Sequence, residues 1–88
     1  MGTELNTKFD KAFQSISMLE ESLAPDVMLK FYAYYKQATT GDTFSTSGES
    51  DVRNAFKFNA WAQLNGMSQE EAKRKYISLA KEILNTKF

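Results

Sequence analysis

Apolar residues recur every three or four positions along most of this chain, which is the spacing of one face of an α-helix. In the first segment the recurring residues are Leu5, Phe9, Ala12, Phe13, Ile16 and Leu19 or Leu23. They predict an amphipathic helix of about four turns. No segment alternates apolar and polar residues as a half-buried strand does. The chain of 88 residues is therefore predicted to form one all-α domain spanning residues 1–88.

The chain's single proline and a glycine-containing segment mark the limits of the second helix. Pro25 has no amide hydrogen and disfavours helical geometry at Ala24, but it suits the first turn of a helix. We therefore expect a helix that begins near Pro25 or Asp26 and ends at Thr39–Gly41. Residues 42–51 are mostly Thr, Ser, Gly and acidic residues. They form a predicted loop of about ten residues, which is long for a helix connection and makes it a candidate functional loop.

Two further helices are predicted in the second half of the chain. Ser50 or Asp51 can cap the third helix, and Gly66 can end it. Apolar residues at helical spacing mark this helix, namely Val52, Ala55, Phe56, Ala60, Trp61 and Leu64. Of these, Phe56 and Trp61 have the spacing of core residues. Ser68 and Glu71 form a capping box, in which the serine hydroxyl accepts from the Glu71 amide and the Glu71 carboxylate reaches back. The predicted buried face of the fourth helix consists of Ala72, Tyr76, Leu79, Ala80 and Ile83.

Composition and charge exclude several classes of site. The sequence has no cysteine and no histidine, which excludes disulfides, thiolate zinc sites and iron–sulfur clusters and removes the commonest general base at neutral pH. The 11 basic and 11 acidic residues give a net charge of zero, which argues against a general nucleic-acid-binding protein. No apolar run approaches the roughly 20 residues of a membrane span, and the first residues lack the pattern of a secretory signal.

Sequence motifs for catalysis are also absent. There is no glycine-rich phosphate loop, no nucleophile elbow and no acidic loop with metal-ligand spacing. The pairs Glu20–Glu21 and Glu70–Glu71 are adjacent in sequence, so their side chains diverge by about 100° on a helix and cannot share a proton or a metal ion. We interpret them as solvated helix surface and expect neither a catalytic nor a metal site.

The second helix carries an aromatic and cationic stripe. Met28, Tyr32, Tyr35 and Lys36 are separated by helical turns, so they share one side of the helix. A stripe of phenols that ends in a lysine suits a ligand with a flat heterocycle and phosphates, because rings stack on the base and hydroxyl and ammonium groups bind phosphate oxygens. Alternatively, Tyr32 packs in the core and the Lys36 side chain lies over it. The spacing alone leaves both interpretations open.

Basic residues on the other helices give weaker signals. Arg53 and Lys57 lie one turn apart on the third helix, where a solvated basic face is the simpler explanation for that helix alone. Residues 73–75 are three consecutive basic residues. They cover most of a helix circumference, so we predict that they are solvated and form no single patch.

Four motifs, which follow one another along the chain in the family's order, closely resemble those of the acyl-CoA-binding protein family. Residues 28–42 read Met-Leu-Lys-Phe-Tyr-Ala-Tyr-Tyr-Lys-Gln-Ala-Thr-Thr-Gly-Asp, similar to the family's apolar pair followed by Tyr-x-x-Tyr-Lys-Gln-Ala-Thr-x-Gly-Asp. Residues 57–61 read Lys-Phe-Asn-Ala-Trp, similar to its Lys-Trp-x-Ala-Trp element. Residues 68–76 match its Ser-x-Glu-x-Ala-x-x-x-Tyr helix start, and residues 9–12 match its Phe-x-x-Ala opening.

The resemblance implies an all-α, four-helix bundle of up-down-down-up topology that binds long-chain fatty acyl-CoA esters as ligands, with no cofactor. The positions that contact the ligand in the family are occupied here by Phe13, Met28, Leu29, Tyr32, Tyr35, Lys36, Lys57 and Tyr76. It assigns Tyr32, Lys36 and Lys57 to the adenosine 3′-phosphate. It further assigns Tyr35 to the adenine and Tyr76 to a ligand-facing position on the fourth helix.

The remaining assignments concern the apolar wall and the departures from the family pattern. Met28 and Leu29 match apolar wall positions near the nucleotide and the acyl chain. Phe13 stands where the family usually has a small residue, which would narrow the acyl path or shift the preferred chain length. Ser17 stands where many members have a lysine, and Phe58 replaces the first tryptophan of the Lys-Trp-x-Ala-Trp element. The loop after Gly41-Asp42 also lacks the usual Pro-Gly.

These observations predict a cytoplasmic, monomeric carrier and buffer of medium- to long-chain acyl-CoA esters that makes at most transient contacts with membranes or acyl-CoA-using enzymes. One alternative is a helical protein-interaction module that has lost the ligand. It predicts loss of Tyr32, Lys36 or Lys57, and all three are present. Another is an acyl-CoA-using enzyme such as a thioesterase, which the missing histidine, cysteine and nucleophile–base pair disfavour.

Overall fold

The computed structural model describes residues 2–19, 22–42 and 52–85 of the chain. Within these residues it contains no strand, and the four helices are α1 (Gly2–Met18), α2 (Pro25–Thr39), α3 (Val52–Ala62) and α4 (Gln69–Leu84). The predicted all-α fold is therefore confirmed. None of the helices in the described residues is long and apolar enough to cross a bilayer. Residues 43–51, with most of the predicted loop and both predicted caps of the third helix, lie outside the described residues.

Local sequence signals set the observed ends of α2 and α4. α2 begins at Pro25, and Ala24 before it has extended backbone (φ −63°, ψ 147°), as a residue before proline prefers. α2 ends where the Thr40 amide donates to the Lys36 carbonyl. At the start of α4 the Ser68 hydroxyl accepts from the Glu71 amide at 3.0 Å, which confirms the serine half of the predicted capping box.

Contacts between helices give the direction of each one. α1 and α4 are parallel, since the Lys73 ammonium donates to the Asn6 side chain and, one turn further along both helices, the Phe9 ring contacts Tyr76 with centroids 5.1 Å apart. α2 and α4 are antiparallel, because Phe31 contacts Tyr76 while Gln37, later in α2, bonds to the carbonyl of Met67, before α4. These directions, together with the parallel α2 and α3 described below, give the expected up-down-down-up topology.

The core lies where α4 packs against both α1 and α2. Tyr76 is its largest buried apolar side chain, at 2% exposure, and it meets the rings of Phe9 and Phe31 edge-on. The other buried members of the core are Ala12, Ile16, Ala38, Ala72, Ile77 and Ala80. The small alanine side chains allow the helices to approach closely, so the few aromatic rings fill the remaining volume.

Two residues predicted to be buried are exposed. Ile83 is 39% exposed, because it lies in the last turn of α4, level with the residues that precede the start of antiparallel α2. Ile77, which the prediction omitted, is buried instead. Phe56 was predicted in the core but is 57% exposed, because α3 packs mainly against α2 and one neighbouring helix covers only a narrow face.

Replacing Ser68 with Ala is expected to lower the free energy of unfolding by about 1 kcal/mol, because the Glu71 amide loses its side-chain acceptor. Urea denaturation of the two proteins measures the difference. The matched control is Ser78→Ala on the exposed face of α4, where alanine favours the helix and no loss is expected. Equal effects of the two substitutions would show that the cap does not stabilise α4.

Candidate functional site

A groove of about 780 Å³ opens between α1, α2 and α3, with Tyr76 of α4 at its floor. The eight residues predicted to contact a ligand all lie on its wall: Phe13, Met28, Leu29, Tyr32, Tyr35, Lys36, Lys57 and Tyr76. These residues come from four helices and span most of the chain. The fold therefore brings together side chains that the sequence analysis could connect only through the family resemblance.

One end of the groove is cationic and aromatic. The Lys57 ammonium lies 5.3 Å from the centre of the Tyr32 ring, and the Lys36 ammonium lies 4.9 Å from the centre of the Trp61 ring. The ammonium over the Tyr32 ring is therefore that of Lys57 on α3, whereas the Lys36 ammonium lies over Trp61. Within the described residues neither ammonium forms an ion pair with a carboxylate. Both charges are thus held beside the groove without a fixed counter-ion from the part of the chain that the structure describes.

These two contacts also fix the alignment of α2 with α3. Each pairs a residue of α2 with a residue 25 positions later in α3. The contact of Lys36 with Trp61 lies one turn further along both helices than the contact of Lys57 with Tyr32. The helices α2 and α3 therefore run in the same direction. Tyr32, Lys36 and Lys57 therefore lie within about one turn of each other along the groove.

Stacked rings form a second part of the wall. Phe13 of α1 stacks on Tyr35 of α2 with centroids 4.7 Å apart and planes inclined by 23°. Phe9 lies on the core side of the same tyrosine at 6.1 Å. Phe13 is 37% exposed, so its ring forms a partly open surface of the groove. Tyr76, by contrast, is almost completely buried and supports the floor from below.

The remaining wall is mainly apolar and includes residues that the sequence analysis did not assign to the site. They are Ile16, Leu23, Pro25, Phe31 and Phe56, which join Met28 and Leu29. Helical spacing identifies Ile16 as an inward-facing residue. It does not show whether such a residue packs between two helices or lines the groove. Ser17 also lines the groove, at the position where many family members have a lysine. Phe58, the other departure on α3, packs edge-on against Trp61 at 6.3 Å.

A polar cluster at the end of α2 fixes the cationic end of the groove. The buried side chain of Gln37 donates to the Asp42 carboxylate at 2.7 Å and to the Met67 carbonyl at 2.8 Å. The Gly66 amide donates to the same Asp42 oxygen at 2.8 Å. The indole of Trp61 donates to the Gly41 carbonyl at 2.8 Å. These bonds join the C-terminus of α2 to α3 and to the turn before α4, and so hold Trp61 against Lys36.

Backbone geometry and charge both support this cluster. Gly41 and Gly66 have φ values of +95° and +99°, which residues other than glycine rarely adopt. Hydrogen bonds from the Gly66 amide and the Gln37 amide lower the pKa of the Asp42 carboxyl, because both donors favour its charged form. Within the described residues no cluster of three acidic side chains is placed to hold a metal ion.

Comparison with known proteins identifies related sequences and structures. The family model described as "Acyl CoA binding protein" matches residues 6–80. The acyl-CoA-binding protein of Dictyostelium discoideum is 37% identical over 78 residues, which are 88% of this chain and 93% of that protein. Acyl-CoA-binding protein homolog 1 of Caenorhabditis elegans is 32% identical over 91% of this chain and 94% of its own length.

The fold comparison agrees with the sequence comparison. The crystal structure of Oryza sativa Acyl-CoA-Binding Protein 2 superposes with a TM-score of 0.84 at 29% identity, over 92% of this chain and 91% of that one. The similarity therefore extends over most of the length of both chains.

Replacing Asp42 with Asn keeps the shape of the side chain but removes its charge, so we expect the melting temperature at pH 7 to fall by a few degrees. The pKa of Asp42 is lower in the folded protein than the value of about 3.9 of an unperturbed aspartate. The stabilisation of the fold by the Asp42 charge is therefore complete above the pKa that Asp42 has in the unfolded state. It is lost as the pH falls through the lower pKa of the folded state. Thermal unfolding followed by circular dichroism should show a difference that shrinks below about pH 4.

The matched control is Asp10→Asn on the exposed face of α1, which removes one carboxylate outside the cluster and should have little effect at pH 7. A difference between native protein and Asp42→Asn that persists unchanged at pH 3 would contradict a stabilising role for the Asp42 charge.

Proposed function

The chain belongs to the acyl-CoA-binding protein family, and we propose that it binds and carries medium- to long-chain fatty acyl-CoA esters in the groove between α1, α2 and α3. The observation that carries the proposal is the chemical division of the groove. Two lysines and aromatic rings lie at one end, and aliphatic side chains lie at the other. An acyl-CoA ester has the same division, since a phosphorylated nucleotide is joined to an alkyl chain.

The cationic end suits the phosphates. Coenzyme A carries about four negative charges at neutral pH, and a protein of zero net charge must concentrate its cations locally to bind them. Lys36 and Lys57 do this from two neighbouring helices. We assign both lysines, with the Tyr32 hydroxyl, to the 3′-phosphate. Their lack of carboxylate partners in the described residues means that phosphate binding breaks no ion pair there.

The stacked rings suit the adenine. Phe13 exposes part of its ring to the groove, and the tyrosine beneath it holds that ring in place. A base that stacks on such a surface gains about 1 to 3 kcal/mol. We therefore assign Phe13 and Tyr35 to the base, rather than assigning Phe13 to narrowing of the acyl path.

The apolar end suits the acyl chain. Met28 and Leu29 lie near the start of α2, away from Lys36, and Leu23 and Pro25 continue the wall beyond them. Each methylene that the chain buries against these residues contributes roughly 0.8 kcal/mol. Affinity should therefore rise with chain length until the wall is covered.

We propose that the protein acts as a monomeric, non-catalytic carrier in the cytoplasm and makes only transient contacts with membranes and with enzymes that use acyl-CoA. The absence of histidine and cysteine from the sequence supports the non-catalytic role, because the commonest general base and the most reactive nucleophile are missing. Nothing in the fold or the comparisons favours an interaction module without ligand.

Calorimetric titration with palmitoyl-CoA should show tight binding of one ligand per chain, with much weaker binding of free coenzyme A and of free palmitate. In Lys36→Ala/Lys57→Ala the affinity for palmitoyl-CoA and coenzyme A should fall at least a hundredfold, because hydrogen bonds to charged groups contribute about 1.5 to 3 kcal/mol each. The remaining binding should depend less on salt concentration.

The matched control for the double variant is Lys30→Ala/Lys75→Ala, which removes two exposed lysines outside the groove and should bind like the native protein. Unfolding curves of both variants establish that they are folded. Undiminished affinity of folded Lys36→Ala/Lys57→Ala would refute the phosphate assignment, and no binding of palmitoyl-CoA by native protein would refute the proposed function.

Prolonged incubation of the protein with palmitoyl-CoA should release no coenzyme A thiol beyond the rate of buffer alone. A thiol reagent that changes absorbance on reaction measures this directly. Release in proportion to protein concentration would overturn the non-catalytic assignment in favour of a thioesterase.

A further inference from the structure

Phe56 of α3 exposes 57% of its surface although it lies on the wall of the groove. The other large apolar groove residue with substantial exposure, Phe13, has its ring stacked on Tyr35. Within the described part of the chain no aromatic ring packs against Phe56. An unstacked phenylalanine at the edge of a ligand groove leaves apolar area that a ligand can remove from water.

The alignment of α2 with α3 places Phe56 toward the apolar end of the groove. Lys57 lies beside Tyr32, and the helices are parallel, so residues earlier in α3 lie beside residues earlier in α2. Phe56 is therefore displaced from Tyr32 toward Met28 and Leu29. This register places Phe56 on the side of Tyr32 that faces the aliphatic wall, away from Lys36.

On these grounds we infer that Phe56 is a specificity-determining residue that covers the acyl chain from the α3 side. The inference rests on the proposed function of the groove. Met28 and Leu29 contact the acyl chain from α2, and Phe56 covers it from the opposite wall. The acyl chain is thus enclosed between two apolar surfaces, whereas one surface alone would leave it half exposed. The family motif around Lys57 does not assign this role, since it begins at Lys57 itself.

The test compares coenzyme A, octanoyl-CoA and palmitoyl-CoA by calorimetry. In native protein the affinity should rise along this series, by up to about fourfold for each methylene that is fully buried. In Phe56→Ala the affinity for palmitoyl-CoA should fall roughly tenfold, while the affinity for coenzyme A should stay within about twofold of native. Phe56→Leu, which restores an apolar side chain, should recover most of the lost affinity.

Met18→Ala is the matched control, because Met18 is 85% exposed and does not line the groove, and its affinities should equal those of native protein. Equal losses for coenzyme A and palmitoyl-CoA in Phe56→Ala would overturn the inference, since the residue would then act on the nucleotide. Native affinity of Phe56→Ala for palmitoyl-CoA would also overturn it.

The two proposals fail in different ways. If native protein binds no palmitoyl-CoA, the proposed function and this inference fall together. If native protein binds the ester tightly and Phe56→Ala binds it equally well, only the inference about Phe56 is wrong.

Discussion

The side-chain amide of Gln37 joins the parts of the chain that meet at the cationic end of the groove. It is buried and donates to the Asp42 carboxylate and to the Met67 carbonyl. A buried donor without a partner costs about 1 to 3 kcal/mol, so arrangements that separate these groups are disfavoured. The cluster thereby holds the end of α2 against the turn before α4. The meeting of Lys36 and Lys57 beside one groove depends on that alignment.

Three buried core residues, Ile16, Phe31 and Tyr76, also line the groove. Tyr76 packs between Phe9 and Phe31 in the core and also forms the floor of the groove. Phe13 and Phe56 instead leave apolar surface exposed, and this surface contributes little to folding because it remains in contact with water. A protein of this size buries only about two thirds of its unfolded surface. Its stability therefore depends on the close packing of α4 with α1 and α2, while α3 mainly supplies one wall of the groove.

Sequence patterns predicted the helices well because the signals that begin and end helices are local. Pro25 restricts the backbone of the residue before α2, and Ser68 accepts a hydrogen bond from an amide three residues later in α4. Both signals act between residues close in sequence. Helical spacing, however, shows only that a residue faces inward or lies on a stripe. It could not distinguish Phe56 in the groove from Phe9 in the core, nor show that Lys57 and not Lys36 lies over Tyr32, because those contacts depend on how helices are aligned. The Gln37–Asp42–Gly66 hydrogen bonds likewise join positions distant in sequence, so no local pattern reveals them.

In the proposed function, the division of the groove into two ends would allow a protein without net charge to distinguish an acyl-CoA ester from its two halves. Binding any ligand costs several kcal/mol in lost translational and rotational freedom. A free fatty acid would obtain favourable binding free energy only from contacts with the apolar wall, and free coenzyme A only from contacts with the cationic and aromatic end. Each half alone must therefore offset the whole cost of binding. The ester gains both contributions for a single cost. Because the proposed attraction of Lys36 and Lys57 for phosphate would be screened beyond about 8 Å at physiological salt, it would act within the groove and give the protein no general affinity for polyanions. Discrimination therefore arises from the covalent link between the two halves of the ligand and from the fixed distance between the two ends of the groove.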